Sequence, residues 1–137
     1  EPAYGSMTAA GVTGLLLARA GIARQAPRDP DLKRIDQAID AGFSWLAAEF
    51  TTRSNPGYAA KAQAHWFYWL YGLERVAELA GVERLDGRDW YCEGALQLLA
   101  RQEPDGSFRS DDSLRIDSTC FAILFLKKAT APVRTGR

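Results

Sequence analysis

Two segments of this chain repeat one helical pattern, and this repeat constrains the fold more than any other feature. Residues 42–49 (GFSWLAAE) match residues 94–101 (GALQLLAR), 52 positions later. In both segments a glycine is followed by apolar residues at helical spacing. A helical unit that recurs at this distance is typical of stacked helical hairpins, in which each hairpin buries its neighbour's apolar face. The sequence therefore predicts an all-α fold of α/α hairpin repeats.

Five main helices are predicted from the apolar periodicity and from the residues that begin or end helices. We expect Ser6 to cap the first helix, and Gly21 and Gly81 to end the first and the third. No segment alternates polar and apolar residues in the way that favours a strand. The predicted helices span residues 6–19, 31–50, 59–80, 89–102 and 117–129.

The odd-numbered helices differ in composition from the even-numbered ones. The third is apolar or aromatic on nearly every side, which is typical of a central helix, whereas the second and fourth are amphipathic. The first and fifth also look alike, because Ser6 and Asp117, 111 positions apart, each precede a Thr by two residues. We therefore expect two concentric layers, with the odd-numbered helices inside and the even-numbered helices wetted on one side.

The size and charge of the chain exclude several classes of partner. Its 137 residues form one domain, residues 1–137, and its 17 basic residues balance 17 acidic ones. A neutral chain lacks the basic surface that nucleic acid requires, and its apolar stretches are too short for a clear transmembrane segment. Because the first residue is Glu1 rather than Met, we expect the chain to be a C-terminal part of a longer protein.

The two cysteines do not indicate a disulfide framework. Cys92 and Cys120 both lie inside predicted helices beside apolar residues. We expect two buried, reduced thiols, which slightly favours a reducing compartment such as the cytoplasm.

Residues 93–108 carry a further pattern, with Gly94, two leucines, Gln102, Gly106 and Phe108. It resembles the QW motif of the α/α-toroid superfamily, which includes squalene and oxidosqualene cyclases, protein prenyltransferase β subunits and bacterial proteins with the same repeats. That motif has a basic residue, an aromatic residue and a final Trp where this chain has Glu93, Gln97 and Phe108. The resemblance implies part of an (α/α)6 toroid, of which five helices make less than half.

The motif residues have structural roles in this interpretation. The Gln102 amide is expected to bind a free carbonyl at a helix end, and Gly106 to supply a turn with positive φ. Phe108 is expected to fold back on the aliphatic run. We therefore assign Gln102, Gly106 and Phe108 to the scaffold.

Asp117 is a weak candidate for a catalytic acid. Class II terpene cyclases protonate an alkene with the middle aspartate of Asp-x-Asp-Asp-Thr-Ala, and the resemblance places Asp117 and Thr119 at matching positions. Both flanking aspartates are absent, and Arg115 would favour the ionised carboxylate, which is the wrong form for a proton donor. The position also suits a helix N-cap, and this capping role is the favoured interpretation.

Zinc is the second candidate. Protein prenyltransferase β subunits use an Asp-x-Cys pair and a later His, for which this chain offers Asp117, Cys120 and His65. The Asp and Cys are three positions apart instead of two, and the single histidine precedes them. Neither the spacing nor the order supports a zinc site. We predict no metal and no other cofactor.

Aromatic residues of the third helix are the candidate ligand-binding residues. Terpenoid cyclases stabilise cations with aromatic faces, and an aromatic inner helix also suits a pocket for any apolar ligand. A packed aromatic core is the alternative. The pocket candidates are His65, Trp66, Tyr68, Trp69 and Tyr71.

These observations lead to two hypotheses about function. The first is a non-catalytic helical-repeat domain of the terpenoid cyclase and prenyltransferase-like toroid superfamily, which binds an apolar ligand or a protein partner, including a second copy of itself. The alternative is a terpenoid cyclase or prenyltransferase-like enzyme whose main catalytic residues lie outside this chain. The fold alone does not decide between them, because one fold hosts many activities.

Overall fold

A computed structural model describes residues 3–57, 63–109, 115–128 and 130. Over these residues the chain is helical and has no strand, apart from an isolated bridge between Leu85 and Arg88. The predicted all-α class is confirmed. The helices are α1 (Gly5–Gln25), α2 (Asp31–Ala48), α3 (Trp66–Ala80), α4 (Trp90–Leu99) and α5 (Arg115–Lys127).

The start of α1 is capped by a residue from a distant loop. Tyr4 occupies the N-cap position, and its side chain makes no capping hydrogen bond. The backbone N–H of Ser6 donates instead to Asn55 Oδ1 at 3.0 Å, and Asn55 Nδ2 donates to Ser6 Oγ at 3.1 Å. The predicted capping role of Ser6 is wrong, because Ser6 lies inside the helix and is itself buried.

Two glycines that were expected to end helices behave differently. Gly21 lies within α1, which continues to Gln25. A Cβ at Gly21 would have no neighbour within 4 Å, so this glycine occupies an open helix surface rather than a C-cap. Gly81 ends α3 as predicted, because its φ of 68° is left-handed and its N–H turns back to the last carbonyls of the helix.

Several other helix ends differ from their predicted positions, including both ends of α5, which runs from Arg115 to Lys127 instead of from 117 to 129. α3 begins at Trp66, since His65 has a left-handed φ of 56° that helical residues do not adopt. The predicted start of α3, at residues 59–62, lies outside the described residues. α2 and α4 end two and three residues early, at Ala48 and Leu99. α4 starts as predicted, because the Asp89 side chain accepts the Cys92 N–H at 2.8 Å.

The two copies of the repeat use the same packing contact. A Cβ at Gly42 of α2 would lie 2.3 Å from Val12 Cγ2 of α1, and a Cβ at Gly94 of α4 would lie 2.4 Å from Phe125 Cζ of α5. Each glycine therefore lets its helix approach a neighbour more closely than any side chain would allow. The leucines one turn later are buried in both copies: Leu46 and Leu98.

α3 is the central helix, and nine of its 15 residues are buried. It packs against α1 and against α5, while α2 packs on α1 and α4 packs on α5. The three odd-numbered helices thus lie in one row, with an even-numbered helix against each end of it. The buried residues of α3 are Trp66, Phe67, Trp69, Leu70, Leu73, Glu74, Val76, Ala77 and Leu79.

The odd-numbered helices are not equally enclosed. α1 exposes Met7 and Leu17, and α5 exposes Ile123 and Ile116, the last with 74% of its surface accessible. The expectation of a dry inner layer is confirmed for α3 and is wrong for these faces of α1 and α5. Both faces are apolar surfaces that water covers in the isolated chain.

α5 does not repeat α1 in the predicted register. The predicted alignment pairs Ser6 with Asp117, but Ser6 is buried whereas Asp117 is exposed. Packing follows the apolar spacing of a helix and not the identity of its polar residues. The buried positions correspond after a shift of two residues: Gly5, Ala9 and Val12 against Ser118, Ala122 and Phe125.

α1 is long and apolar enough to cross a membrane when judged by length and composition. In the fold it packs on α2 and α3, and it buries Arg19, whose Nε lies 2.5 Å from Asp36 Oδ1 of α2. A core helix of a soluble protein meets the same criterion. α1 is therefore a weakly apolar helix near the N-terminus and not a clear membrane span.

Candidate functional site

The two tryptophans among the predicted pocket residues are buried, with 1% of Trp66 and 0% of Trp69 exposed. Their indole N–H groups donate to the carbonyl oxygens of Thr52 and Thr51, each at 2.9 Å. A buried indole needs a partner for its one donor, and both find it in the loop that follows α2. Trp66 and Trp69 therefore fix this loop against α3.

The two tyrosines lie on the side of α3 that meets α5. The ring centroid of Phe121 lies 5.4 Å from that of Tyr68 and 5.3 Å from that of Tyr71. The two tyrosine rings are 6.4 Å apart, and 36% of Tyr68 is exposed. We call Tyr68, Tyr71 and Phe121 the aromatic patch. It joins two helices and remains open to solvent.

Polar and apolar groups border the aromatic patch. Arg75 donates to the Tyr71 hydroxyl at 3.0 Å, and its guanidinium carbon lies 5.6 Å from the ring centroid. On α5, Asp117 lies one turn before Phe121, and Leu124 lies one turn after it. Asp117 and Leu124 are both exposed. The patch is therefore an apolar surface that continues along α5 and has charged groups at its rim.

The structure does not bring the five predicted pocket residues to one surface. His65 is exposed at the N-cap of α3, Trp66 and Trp69 lie in the core, and Tyr68 and Tyr71 belong to the aromatic patch. A role in ligand binding stays a prediction, and it rests on the two tyrosines.

Asp117 does not cap α5. The helix begins at Arg115, so Asp117 is its third residue, where a negative charge still interacts favourably with the helix dipole. The Asp117 side chain is exposed, whereas an acid that protonates an alkene works in a site from which water is excluded. The side chain of Arg115, the predicted partner of Asp117, lies outside the described residues.

The three residues weighed as zinc ligands do not form a set in the described structure. His65 lies at the start of α3, and Asp117 and Cys120 lie on exposed positions of α5. Within residues 3–57, 63–109 and 115–128, no group of three His, Cys, Asp or Glu side chains is placed to hold a metal ion.

The prediction that both thiols are buried is wrong. Cys92 of α4 and Cys120 of α5 are exposed. The prediction assumed that apolar sequence neighbours imply burial. In these helices the apolar neighbours at Leu96, Ile116 and Ile123 are exposed as well, so the thiols share an outward face with them.

The turn after α4 holds α5 in place. Gln102 Nε2 donates to the Gly106 carbonyl at 2.9 Å, and not to a carbonyl of α4 as predicted. Gly106 has the predicted positive φ, 84°. Phe108 is buried with its ring centroid 5.9 Å from that of Phe67, and its N–H donates to Thr119 Oγ1 at 3.0 Å. These contacts explain a scaffold role for the three motif residues.

Glu74 of α3 is a buried carboxyl group that the sequence analysis missed. None of it is exposed, and its oxygens accept the N–H and the hydroxyl of Thr130 at 3.1 and 2.9 Å. Burial raises the pKa of Glu74, and the hydrogen bonds from Thr130 act against that shift. The signal in the sequence was a single acidic residue on the apolar side of a central helix.

Arg101 is a second residue that the sequence analysis did not single out. It follows the end of α4, and its guanidinium carbon lies 3.9 Å from the centroid of the Trp66 ring. The repeat alignment assigned Arg101 to a helix surface and gave no indication of this contact.

Comparison of the chain with protein families, with curated proteins and with solved structures finds no match. The function has to be inferred from the aromatic patch, the buried groups and the packing described above.

Proposed function

We propose that this chain is a non-catalytic helical-repeat domain, related to the terpenoid cyclase and prenyltransferase-like toroids, that binds an apolar ligand or a protein partner. The observation that carries the proposal is the aromatic patch. Aromatic rings are costly to leave in water and are common at the centres of binding surfaces. Here three of them meet across two helices at the surface.

The arrangement of the helices supports the toroid part of the proposal. α1, α3 and α5 lie side by side, with α2 and α4 against the ends of the row. The repeat places Gly42 and Gly94 at equivalent helix contacts. In an inner row of this kind, the face that carries the aromatic patch would line a shared cavity or meet a partner.

The extent of the apolar surface supports binding. Leu124, one turn after Phe121, is 36% exposed, so the surface runs beyond the three rings along α5. Covering an exposed apolar side chain contributes about 1.5–3 kcal/mol when it becomes fully buried. A few such side chains supply enough free energy for a specific, moderately tight complex.

The enzyme hypothesis has less support. Asp117 is the residue near the patch that could take part in acid chemistry, since it lies one turn before Phe121. It is exposed to solvent, which does not suit a strong proton donor. We therefore favour binding over catalysis for this surface.

A neutral apolar dye tests the proposal directly. We expect Nile red to bind the chain saturably, with fluorescence enhancement. The double substitution Tyr68→Ser with Leu124→Ser should weaken binding at least about tenfold, since two apolar contacts are lost. The matched control is Leu96→Ser with Leu99→Ser, which removes two exposed leucines of α4, a helix that contributes no ring to the patch. Equal weakening in both variants, or no saturable binding, would refute a specific role for the patch.

Sedimentation velocity tests the protein-partner arm of the proposal. We expect the isolated chain to self-associate at micromolar concentration, since apolar faces of α1 and α5 are open to water. Replacing Ile116 and Ile123 with Ser should shift the population toward monomer. A chain that stays monomeric throughout would contradict self-association and leave the dye experiment to decide on small ligands.

A further inference from the structure

Arg101 occupies an unusual place at the start of α3. Its guanidinium covers the Trp66 indole at 3.9 Å from the ring centroid, and Trp66 is almost fully buried beneath it. A guanidinium binds an aromatic face both as a cation and as a flat delocalised group, so this contact holds the charge in one position.

The hydrogen bonds of Arg101 go to neutral acceptors. NH1 donates to Gln63 Oε1 at 3.3 Å, and NH2 donates to the Arg53 carbonyl at 3.4 Å. In the described part of the chain, Arg101 forms no ion pair with a carboxylate. Arg19 and Arg88 differ in this respect, because they are paired with Asp36 and Glu93, respectively.

Arg101 is an exposed residue, and its guanidinium is partly desolvated where it packs on Trp66. This desolvation lowers the pKa of Arg101, which means that the charged form is less well solvated than in water. A guanidinium has five N–H donors, so Arg101 keeps donors beyond the two hydrogen bonds described above. Arg53 is exposed and its carbonyl accepts one of these hydrogen bonds, so a second arginine belongs to the surroundings of Arg101.

We propose that Arg101, fixed on Trp66 and bordered by Arg53, anchors a binding site for an oxyanion, a carboxylate or phosphate group of a small ligand. Both groups accept two parallel hydrogen bonds from one guanidinium, which is the geometry that arginine favours. Stacking on Trp66 would explain the position of Arg101 on its own, but stacking predicts no response to anions. The site shares no residue with the aromatic patch and does not depend on it.

NMR titration tests the site with defined probes. Inorganic phosphate and acetate are added separately to the chain, at an ionic strength held constant with sodium chloride. We expect saturable shifts of the Arg101 Nε–H and the Trp66 indole N–H resonances for at least one probe. The probe that saturates at the lower concentration identifies the preferred group. Shifts that are linear in both titrations would overturn the proposal.

Two variants separate a specific site from general charge attraction. Arg101→Gln should weaken binding of the preferred probe at least about tenfold, because a hydrogen-bonded charge is lost. Arg84→Gln is the matched control, since Arg84 is exposed and its NH1 also donates to a backbone carbonyl, that of Gly87 at 3.0 Å. Equal affinity in the two variants would overturn the proposal.

A third variant covers the case in which Arg101→Gln does not fold. Arg101→Lys keeps the charge but loses the flat fork, and we expect it to bind the preferred probe more weakly than the wild-type chain. Wild-type affinity in Arg101→Lys would refute recognition by the guanidinium. Nile red binding should be unchanged in every Arg101 variant, so failure of this site and failure of the aromatic patch are distinguishable.

Discussion

The helix pairs α1–α2 and α4–α5 each have a glycine at their helix contact, yet they are joined to α3 in different ways. The first pair is closed against α3, because the loop after α2 accepts both indole N–H groups and supplies Asn55 to the start of α1. The second pair meets α3 through the aromatic patch, which is open to water, and through the contact of Glu74 with Thr130. The contact of the first pair with α3 is thus sealed from water, and that of the second pair is in part accessible.

This difference indicates where to look for function. Both pairs have a glycine at a close helix contact, but α2 packs on α1 much more extensively than α4 packs on α5. The side chains that lie between each pair and α3 differ as well. Between the first pair and α3, the indole N–H groups of Trp66 and Trp69 are hydrogen-bonded inside the protein, whereas in the contact with the second pair Tyr68 stays 36% exposed.

The largest expected effect comes from breaking the sealed contact. Trp69→Ala should lower the free energy of unfolding by about 3–5 kcal/mol, as is usual for a buried Trp, and it also removes a hydrogen bond to Thr51. Tyr68→Ala, one residue earlier, should cost about 1 kcal/mol or less, because Tyr68 is part of an exposed ring contact. Chemical denaturation measures both. Similar losses would mean that the two contacts do not differ in energy.

The glycine contacts test whether the two pairs share one packing device. Gly42→Ala and Gly94→Ala should each destabilise the fold by about 1–3 kcal/mol, because the new methyl group would overlap Val12 or the rigidly packed Phe125. Gly14→Ala in α1 is the control, since nothing lies within 4 Å of a Cβ there. It should stabilise the helix by about 0.5–1 kcal/mol. If either Gly42→Ala or Gly94→Ala leaves the free energy of unfolding unchanged, the two glycine contacts are not equivalent.

Glu74 tests the polar part of the accessible contact. Glu74→Ala removes both acceptors of Thr130 and should cost about 1–3 kcal/mol. Glu74→Gln should be milder because the amide keeps an acceptor. Glu83→Gln, at an exposed position, is the control and should be close to neutral.

The raised pKa of Glu74 gives this contact a defined pH dependence. A folded-state pKa above the unfolded value stabilises the protein below the unfolded pKa, and this contribution is lost as the pH rises through the folded pKa. Glu74→Gln should therefore gain stability relative to wild type as the pH is raised from about 4 toward neutrality. Denaturation curves at several pH values measure this difference. A constant difference over that range would contradict a buried, titrating Glu74.

The smallest expected effect is at the rim of the aromatic patch. Asp117→Asn should change stability by about 0.5 kcal/mol or less, because Asp117 is exposed and loses only its interaction with the helix dipole. A loss of several kcal/mol would instead indicate a buried ionic partner and would bring the enzyme hypothesis forward.

Local rules predicted the parts of the fold that depend on a few neighbouring residues. Asp89 was placed at the start of α4, Gly81 at the end of α3 and Gly106 in a turn, and the structure confirms these positions. Each is decided by a cap or by a positive φ, which are properties of the residue and its immediate neighbours.

Features that depend on distant contacts were not predicted. The cap of α1 comes from Asn55, and no pattern near Ser6 indicates it. Neighbouring aromatic residues such as Tyr68 and Trp69 look alike in sequence, and their different burial is decided by where α5 and the loop after α2 pack. The exposed thiols have the same explanation, since helical periodicity identifies a stripe but not whether another element covers it.

The contact between Asn55 and Ser6 has a consequence for the order of events in folding. Asn55 lies 49 positions after Ser6, so the ribosome synthesises the first turn of α1 before the residue that caps it. This turn is therefore capped only after the loop that follows α2 has been made and has packed. We expect the amide of Ser6 to gain hydrogen-exchange protection late, together with the loop that follows α2. The first turn of α1 thus becomes stable only when the loop after α2 packs against it, so these two regions form one cooperative unit.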